Sequence, residues 1–210
     1  MIIIPARLAS SRFSNKILVD IKGLPMVVRT AKQVESLDRV VVATDSEKVL
    51  EIVKSFNIDA VMTDINHISG TDRINEATNL LGLDDDEIVI NVQADEPFIE
   101  PDIVKTLIDE VKRVKDDKEI LLSSCYKNIT SEMADDTNQV KVILNRDNNA
   151  IYFSRSKIPH NRDHHHNISY NGHLGIYGFT VANLKKFCHL KDSILENTEK
   201  LEQLRVLEYG

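Results

Sequence analysis

A disulfide framework is missing from this sequence. Its 210 residues hold two cysteines, Cys125 and Cys188, far apart and in apolar surroundings, which predicts reduced, buried thiols and a cytoplasmic setting. A membrane span is missing too: no apolar run approaches the roughly 20 residues that a bilayer requires. The apolar start, Met1 to Ile4, meets Pro5 and Arg7 too soon to form a signal-peptide core. There is no excess of positive charge either. With 26 Lys and Arg against 33 Asp and Glu, the net charge of -7 lacks the electrostatic footprint of a general nucleic-acid or anionic-membrane binder, so small molecules or proteins are the expected partners. Seven glycines and five prolines beside 42% hydrophobic residues exclude collagen-like and disordered chains. The absence of a Walker loop and of a Gly-x-Gly-x-x-Gly fingerprint argues against an ordinary ATPase or dinucleotide-binding dehydrogenase.

What is present is an alternation of short β-branched runs with longer amphipathic segments, the pattern of parallel strands joined by crossover helices in an α/β fold. Ile2 to Ile4, Arg39 to Ala43, Asp59 to Met62 and Ile88 to Val92 read as strands covered on both faces. Pro25 to Ser36, Glu47 to Phe56, Thr71 to Leu81 and Pro101 to Val114 read as helices, with Ser46 and Ser69 as caps and Pro101 in a first turn. The pattern changes after Ile120. Strands at Ile120 to Tyr126, Val140 to Leu144 and Ala150 to Ser154 follow, the last two joined by the turn Arg146-Asp147-Asn148-Asn149 as an antiparallel pair. A polar loop from Pro159 to Asn171, a strand at Leu174 to Phe179, and helices near Ala182 to Phe187 and Glu196 to Leu207 complete the expectation. One domain over residues 1–210 is expected, with an antiparallel subdomain at about 120–180.

Ligands of open parallel sheets bind beyond the carboxyl ends of the strands. The loop after the first strand carries Arg7, Arg12 and Lys16 among small residues; it suits a polyphosphate, although a solvated basic loop has the same composition. The loop after Ile88 reads Asn91-Val92-Gln93-Ala94-Asp95-Glu96-Pro97. Its carboxylates suit a hard cation such as Mg²⁺, or simply a turn before Pro97. The adjacent imidazoles His164, His165 and His166 offer no fixed coordination geometry and read as a solvated loop. His173 is either a satisfied structural histidine or a ligand contact. By helical position alone Glu202 and Gln203 belong on the solvent face.

Taken together, Ile3-Ile4-Pro5-Ala6-Arg7, Val42-Ala43-Thr44-Asp45, Ser69-Gly70-Thr71-Asp72-Arg73, Asn91 to Pro97, Tyr152-Phe153-Ser154-Arg155, His173 to Gly178 and Leu201-Glu202-Gln203-Leu204-Arg205 resemble the 3-deoxy-manno-octulosonate cytidylyltransferases, or CMP-Kdo synthetases. The resemblance covers essentially the whole chain. It implies a mostly parallel, Rossmann-like nucleotidyltransferase sheet with helices on both faces and a smaller antiparallel dimerisation subdomain. It also implies transfer of CMP from CTP to the anomeric hydroxyl of Kdo, giving CMP-Kdo for lipopolysaccharide assembly, in a cytoplasmic, Mg²⁺-dependent homodimer.

Residue by residue, the resemblance implies that Arg7 and Lys16, with Arg12 beside them, hold the CTP triphosphate, and that Asp95 is the metal ligand. It assigns Arg73, Gln93, Arg155, His173, Glu202 and Gln203 to Kdo. Related readings are a cytidylyltransferase for neuraminic acid or 8-amino-Kdo, and a CTP-binding module without turnover. Ala94 stands where the family motif has glycine, and Ser14-Asn15 where it has Pro-Gly. The resemblance further implies a C-terminal Gly-Val-Asp-Thr-Pro segment with a second metal-binding aspartate, which the sequence to Gly210 does not include.

Overall fold

Every residue of the first strand is buried, as an Ile-rich strand covered on both faces must be. In the structure, a computed structural model that describes residues 1–8, 15–163 and 168–209, this strand is β1 (Ile2–Ala6). The chain continues through a 3-10 turn at Lys16–Leu18, a small antiparallel pair β2 (Asp20–Ile21) and β3 (Leu24–Pro25), and α1 (Met26–Val34). Then come β4 (Val40–Thr44), α2 (Glu47–Ser55), β5 (Asp59–Met62), α3 (Gly70–Leu80), β6 (Ile88–Asn91) and α4 (Pro101–Val114). The remainder is β7 (Ser123–Ile129), α5 (Ser131–Asp135), β8 (Lys141–Leu144), β9 (Ala150–Ser154), β10 (Tyr170–Thr180), α6 (Val181–His189), α7 (Ile194–Glu199) and α8 (Leu204–Tyr209).

The chain divides into two units. The first comprises Met1–Ser123 and Ile176–Cys188. Its strands run in the order β5-β4-β1-β6 with parallel pairing throughout, and the end of β10 closes antiparallel on β6, with Tyr177 opposite Asn91. The α/β expectation with a mostly parallel sheet flanked by helices holds. Ser46 and Ser69 cap their helices as expected, accepting from the Val49 and Asp72 amides. The apolar stripe Val104, Leu107, Ile108 and Val111 of α4 is buried, and each such side chain contributes roughly 1.5–3 kcal/mol. Gly178 makes that packing possible, because a Cβ there would collide with Val111 and come within 3.1 Å of Ile90.

The second unit comprises Ser124–Gly175 and His189–Gly210. It contains the expected β8–β9 hairpin, whose turn is closed by the Asn145 amide donating to the Asn149 carbonyl at 2.9 Å, with Asn148 at φ 63. Three expected elements are corrected here and one helix is added. β7 starts at Ser123 rather than Ile120 and runs on to Ile129. The short α5 had no sequence signal. β10 starts at Tyr170, inside the stretch read as loop, because Tyr170 is buried with Ile129 and Ala134.

Finally, the single helix expected from Glu196 to Leu207 is two helices. α7 opens with a capping box between Ser193 and Glu196 and ends at Lys200 in the left-handed region, φ 54. Both cysteines are half-buried rather than buried. Among the described residues, no helix is long and apolar enough to cross a membrane.

Candidate active site

β1 and β6 are hydrogen-bonded side by side and parallel, so the segments leaving their carboxyl ends emerge at the same edge. Lys16, beyond the β1 loop, meets Asp95 in the turn after β6: its Nζ donates to Oδ2 at 2.6 Å. The two side chains are 44% and 45% exposed. Such a solvated pair contributes little to folding, yet it leaves a cation and a carboxylate open to an incoming ligand. Arg7 follows β1 directly and is exposed. Arg12, like His164, His165 and His166, lies outside the described residues.

The two departures from the family motifs have local explanations. Asn15 has φ 57, a left-handed conformation that asparagine tolerates better than most side chains, so the backbone that suits glycine persists without it. Ala94 is 4% exposed and has no positive φ, and its carbonyl accepts from Thr30 Oγ1 at 3.0 Å. A methyl group therefore fits, and the acidic turn is tied to α1. Gly70 is closely packed: a Cβ would lie 3.1 Å from Pro5 and 3.7 Å from Gln93 Oε1, so the start of α3 sits against both. Gln93 in turn donates to Asn91 Oδ1 at 3.3 Å.

Arg73 is 2% exposed and bonded inward, from Nη1 to Thr63 Oγ1 at 2.5 Å and from Nη2 to Asp45 Oδ2 at 2.8 Å. The other Asp45 oxygen accepts from the Leu8 amide at 3.2 Å. One buried carboxylate at the end of β4 thus ties the loop leaving β1 to the helix that carries Arg73. Asp45 was not among the sequence-derived site residues, although it has the signal that singled out Asp95: an acidic residue at the carboxyl end of a parallel strand.

In the second unit, His173 and Gln203 come together. His173 is 7% exposed and Gln203 2%, which corrects the solvent-face expectation for Gln203; Glu202 is half-buried. His173 Nε2 lies 2.8 Å from Ser124 Oγ, Gln203 Nε2 lies 3.5 Å from His173 Nδ1, and Phe153 packs edge-on against the ring at 4.9 Å. Burial pushes the imidazole pKa down to about 4, so the ring is neutral near pH 7. Arg155 donates to the carbonyls of Glu199, Thr137 and Lys200, closing the end of α7. Beneath it Lys141 is fully buried, its ammonium held by the Asp136, Gln139 and Arg155 carbonyls at 3.0, 2.6 and 2.6 Å. Neither Ser124 nor Lys141 had a sequence signal, because their partners are set by tertiary contacts.

The likeness to known proteins extends over the whole chain. The cytidylyltransferase family model matches residues 1–210. The 3-deoxy-manno-octulosonate cytidylyltransferase of Nitratiruptor sp. is 52% identical over 210 residues, spanning 100% of this chain and 87% of the relative. That of Wolinella succinogenes is 47% identical, with the same two coverages of 100% and 87%. A solved CMP:2-keto-3-deoxy-manno-octonic acid synthetase complexed with CTP superposes with a TM-score of 0.88 at 39% identity, over 100% of this chain and 85% of that one. A Leptospira borgpetersenii cytidylyltransferase, 18% identical with a TM-score of 0.55 over 96% of this chain and 72% of its own, shares the fold. With likeness in sequence and in structure running the whole length of the chain, it belongs to the 3-deoxy-manno-octulosonate cytidylyltransferase family.

Proposed function

We propose that this chain transfers CMP from CTP to the anomeric hydroxyl of Kdo, releasing pyrophosphate and forming CMP-Kdo for lipopolysaccharide assembly. The observation that carries the proposal is the meeting of Lys16 with Asp95 at the carboxyl ends of β1 and β6, in a chain 39% identical to a synthetase solved with CTP. The anomeric oxygen bonds to the α-phosphorus as its proton passes to solvent, while the bond to the pyrophosphate oxygen breaks in line. Lys16 and Arg7, with Arg12 in the same loop, offset the charge that develops on the leaving group. Arg73, Gln93, Arg155, His173, Glu202 and Gln203 are assigned to Kdo on the strength of the family motifs.

Asp95 fits a divalent cation, here Mg²⁺, because it is a hard oxygen donor still open to solvent. Among the described residues no group of three or more His, Cys, Asp or Glu could hold a metal, so phosphate oxygens and water would complete the coordination, the usual arrangement for this ion. When bound, such an ion neutralises phosphate charge and makes the attacking hydroxyl more acidic. A cytoplasmic homodimer is part of the proposal, with no nucleic-acid or membrane partner. Light scattering measures the self-association.

The test is pyrophosphate release with CTP, Mg²⁺ and Kdo, run beside neuraminic acid and 8-amino-Kdo, with CTP-induced thermal stabilisation recorded on the same sample. Release fastest with Kdo is expected. Faster release with another acid sugar would reassign the acceptor, and stabilisation without release from any sugar would leave a nucleotide-binding module.

A further inference from the structure

Two charged side chains of the second unit, Lys141 and Glu199, hold one residue from both sides. Lys141 of β8 pairs across the hairpin with Ser154 of β9. Its buried ammonium donates to the carbonyls of Asp136, Gln139 and Arg155 at 3.0, 2.6 and 2.6 Å, so its three hydrogens meet three acceptors. The Glu199 carboxylate accepts from the Arg155 amide at 2.9 Å and from the Ser154 hydroxyl at 2.6 Å. Both backbone groups of Arg155 are therefore fixed. Ammonium and guanidinium groups only donate, and carbonyls and carboxylates only accept, so the direction of each of these bonds follows from the residue types.

From that fixed base the Arg155 guanidinium reaches the turn between α7 and α8. Nε and Nη2 donate to the Glu199 and Lys200 carbonyls at 2.7 and 3.3 Å, and Nη1 donates to that of Thr137 at 3.1 Å. Carbonyls at the end of a helix have no intrahelical donor, and a cation there also suits the helix dipole. Through the turn each carbonyl has a donor: Arg155 for Glu199 and Lys200, the Leu204 amide for Leu201 and the Arg205 amide for Glu202, the last two at 3.1 Å. Leu201 and Leu204 pack with Val142 and Phe153, the sequence neighbours of Lys141 and Ser154. The segment that carries Glu202 and Gln203 is thus seated on the hairpin by an apolar cluster and by Arg155.

From this geometry we propose that Lys141 and Glu199 are positioning residues for recognition of the acid sugar: they fix the backbone of Arg155, whose guanidinium sets the turn that carries Glu202 and Gln203. The sugar half rests on the Kdo assignment above. The relay half rests on the hydrogen bonds.

The experiment is hydrogen exchange of the full chain, read by mass spectrometry over residues 199–205, with steady-state pyrophosphate release on the same samples. The variants are Glu199→Ala, Glu199→Gln and Lys141→Met, and the acceptor is the acid sugar that the natural protein uses fastest. Glu199→Ala removes the acceptor of the Arg155 amide. Exchange in the turn and the sugar KM are each expected to rise about three- to tenfold, the scale of one hydrogen bond, while kcat and the CTP KM stay within about twofold. Glu199→Gln keeps an acceptor for the Arg155 amide and can donate to the Ser154 hydroxyl, so it restores both readings. Lys141→Met leaves three carbonyls without their donor and acts in the same direction; where it fails to fold, the two Glu199 variants decide. Unchanged exchange in Glu199→Ala overturns the relay. Faster exchange with an unchanged sugar KM, or with equal rises in the sugar and CTP KM, overturns the recognition half. Faster exchange in a protein that releases pyrophosphate with no acid sugar supports the relay and overturns the Kdo assignment instead.

Discussion

The Lys16–Asp95 pair of the first unit and the polar groups around His173 and Lys141 in the second stand in opposite settings. In the first, β1 and β4 are buried at every residue, and the paired charges Lys16 and Asp95 stand on that apolar platform, each close to half exposed. In the second, the polar groups are inside: Lys141 at 0%, Gln203 at 2%, Ser154 at 3% and His173 at 7% exposed, each with protein partners. Exposed charges cost little to maintain and can turn to a charged ligand. Buried, bonded polar groups are costly to disturb and hold one geometry. The first arrangement suits handling of a polyphosphate, and the second suits discrimination among hydroxyl patterns.

Asp45 gives the sharpest test of the contrast, because with Arg73 it forms a buried ion pair in the same unit as the exposed Lys16–Asp95 pair. Asp45→Ala leaves Arg73 buried without its carboxylate and is expected to cost roughly 3–5 kcal/mol in denaturant unfolding. A loss below about 1 kcal/mol, the ceiling for a surface pair, would mean that Arg73 finds water and the contrast is weaker than described.

His173 comes next. Its folded pKa of about 4 lies below its ordinary 6.5, so as pH falls the unfolded chain takes up the proton first and stability drops between those two values. Below both, the loss is roughly 3 kcal/mol at 1.36 kcal/mol per unit. Stability curves from pH 7 to 4 should show this slope in the natural protein and less of it in His173→Gln. Equal slopes would place the acid sensitivity elsewhere.

Lys16→Met should show the converse pattern in the first unit: pyrophosphate release falls by about 10- to 100-fold, while the unfolding free energy moves by less than about 1 kcal/mol. A large stability loss would make Lys16 structural. The smallest effect is expected at Asn15→Gly, where a residue already at φ 57 is replaced by one that adopts that conformation freely. A change of only a few tenths of a kcal/mol is expected, easing of strain offsetting the added chain entropy, with turnover unaltered.

Legibility in the sequence follows the same division. β1, β4 and β6 were readable because strands covered on both faces need unbroken β-branched runs, and α4 because Pro101 and its apolar spacing agree; β5 was found as a strand, but as the edge of the sheet it is exposed at both ends rather than covered on both faces. Lys16 and Asp95 were readable as candidates because they stand in loops after such strands, and the structure brings them together; their roles rest on the family motifs. In the second unit the signals were weaker. Tyr170 starts β10 amid polar residues because it is buried against Ile129 and Ala134, a partnership made at a distance in sequence. The break at Lys200 is stabilised by Arg155, which donates to the Glu199 and Lys200 carbonyls, again a long-range contact. Gln203 looked solvent-facing because one helix was expected to run through it, whereas it lies in the turn between α7 and α8.

The most direct test of charge-based transfer in the first unit is the rate of pyrophosphate release by Asp95→Asn with CTP and Kdo at saturating Mg²⁺. The substitution keeps the side chain's shape and removes its charge from a half-exposed position, so folding and CTP-induced stabilisation should survive. The expected result is a loss of turnover of about 100-fold or more. Turnover equal to that of the natural protein would contradict the account.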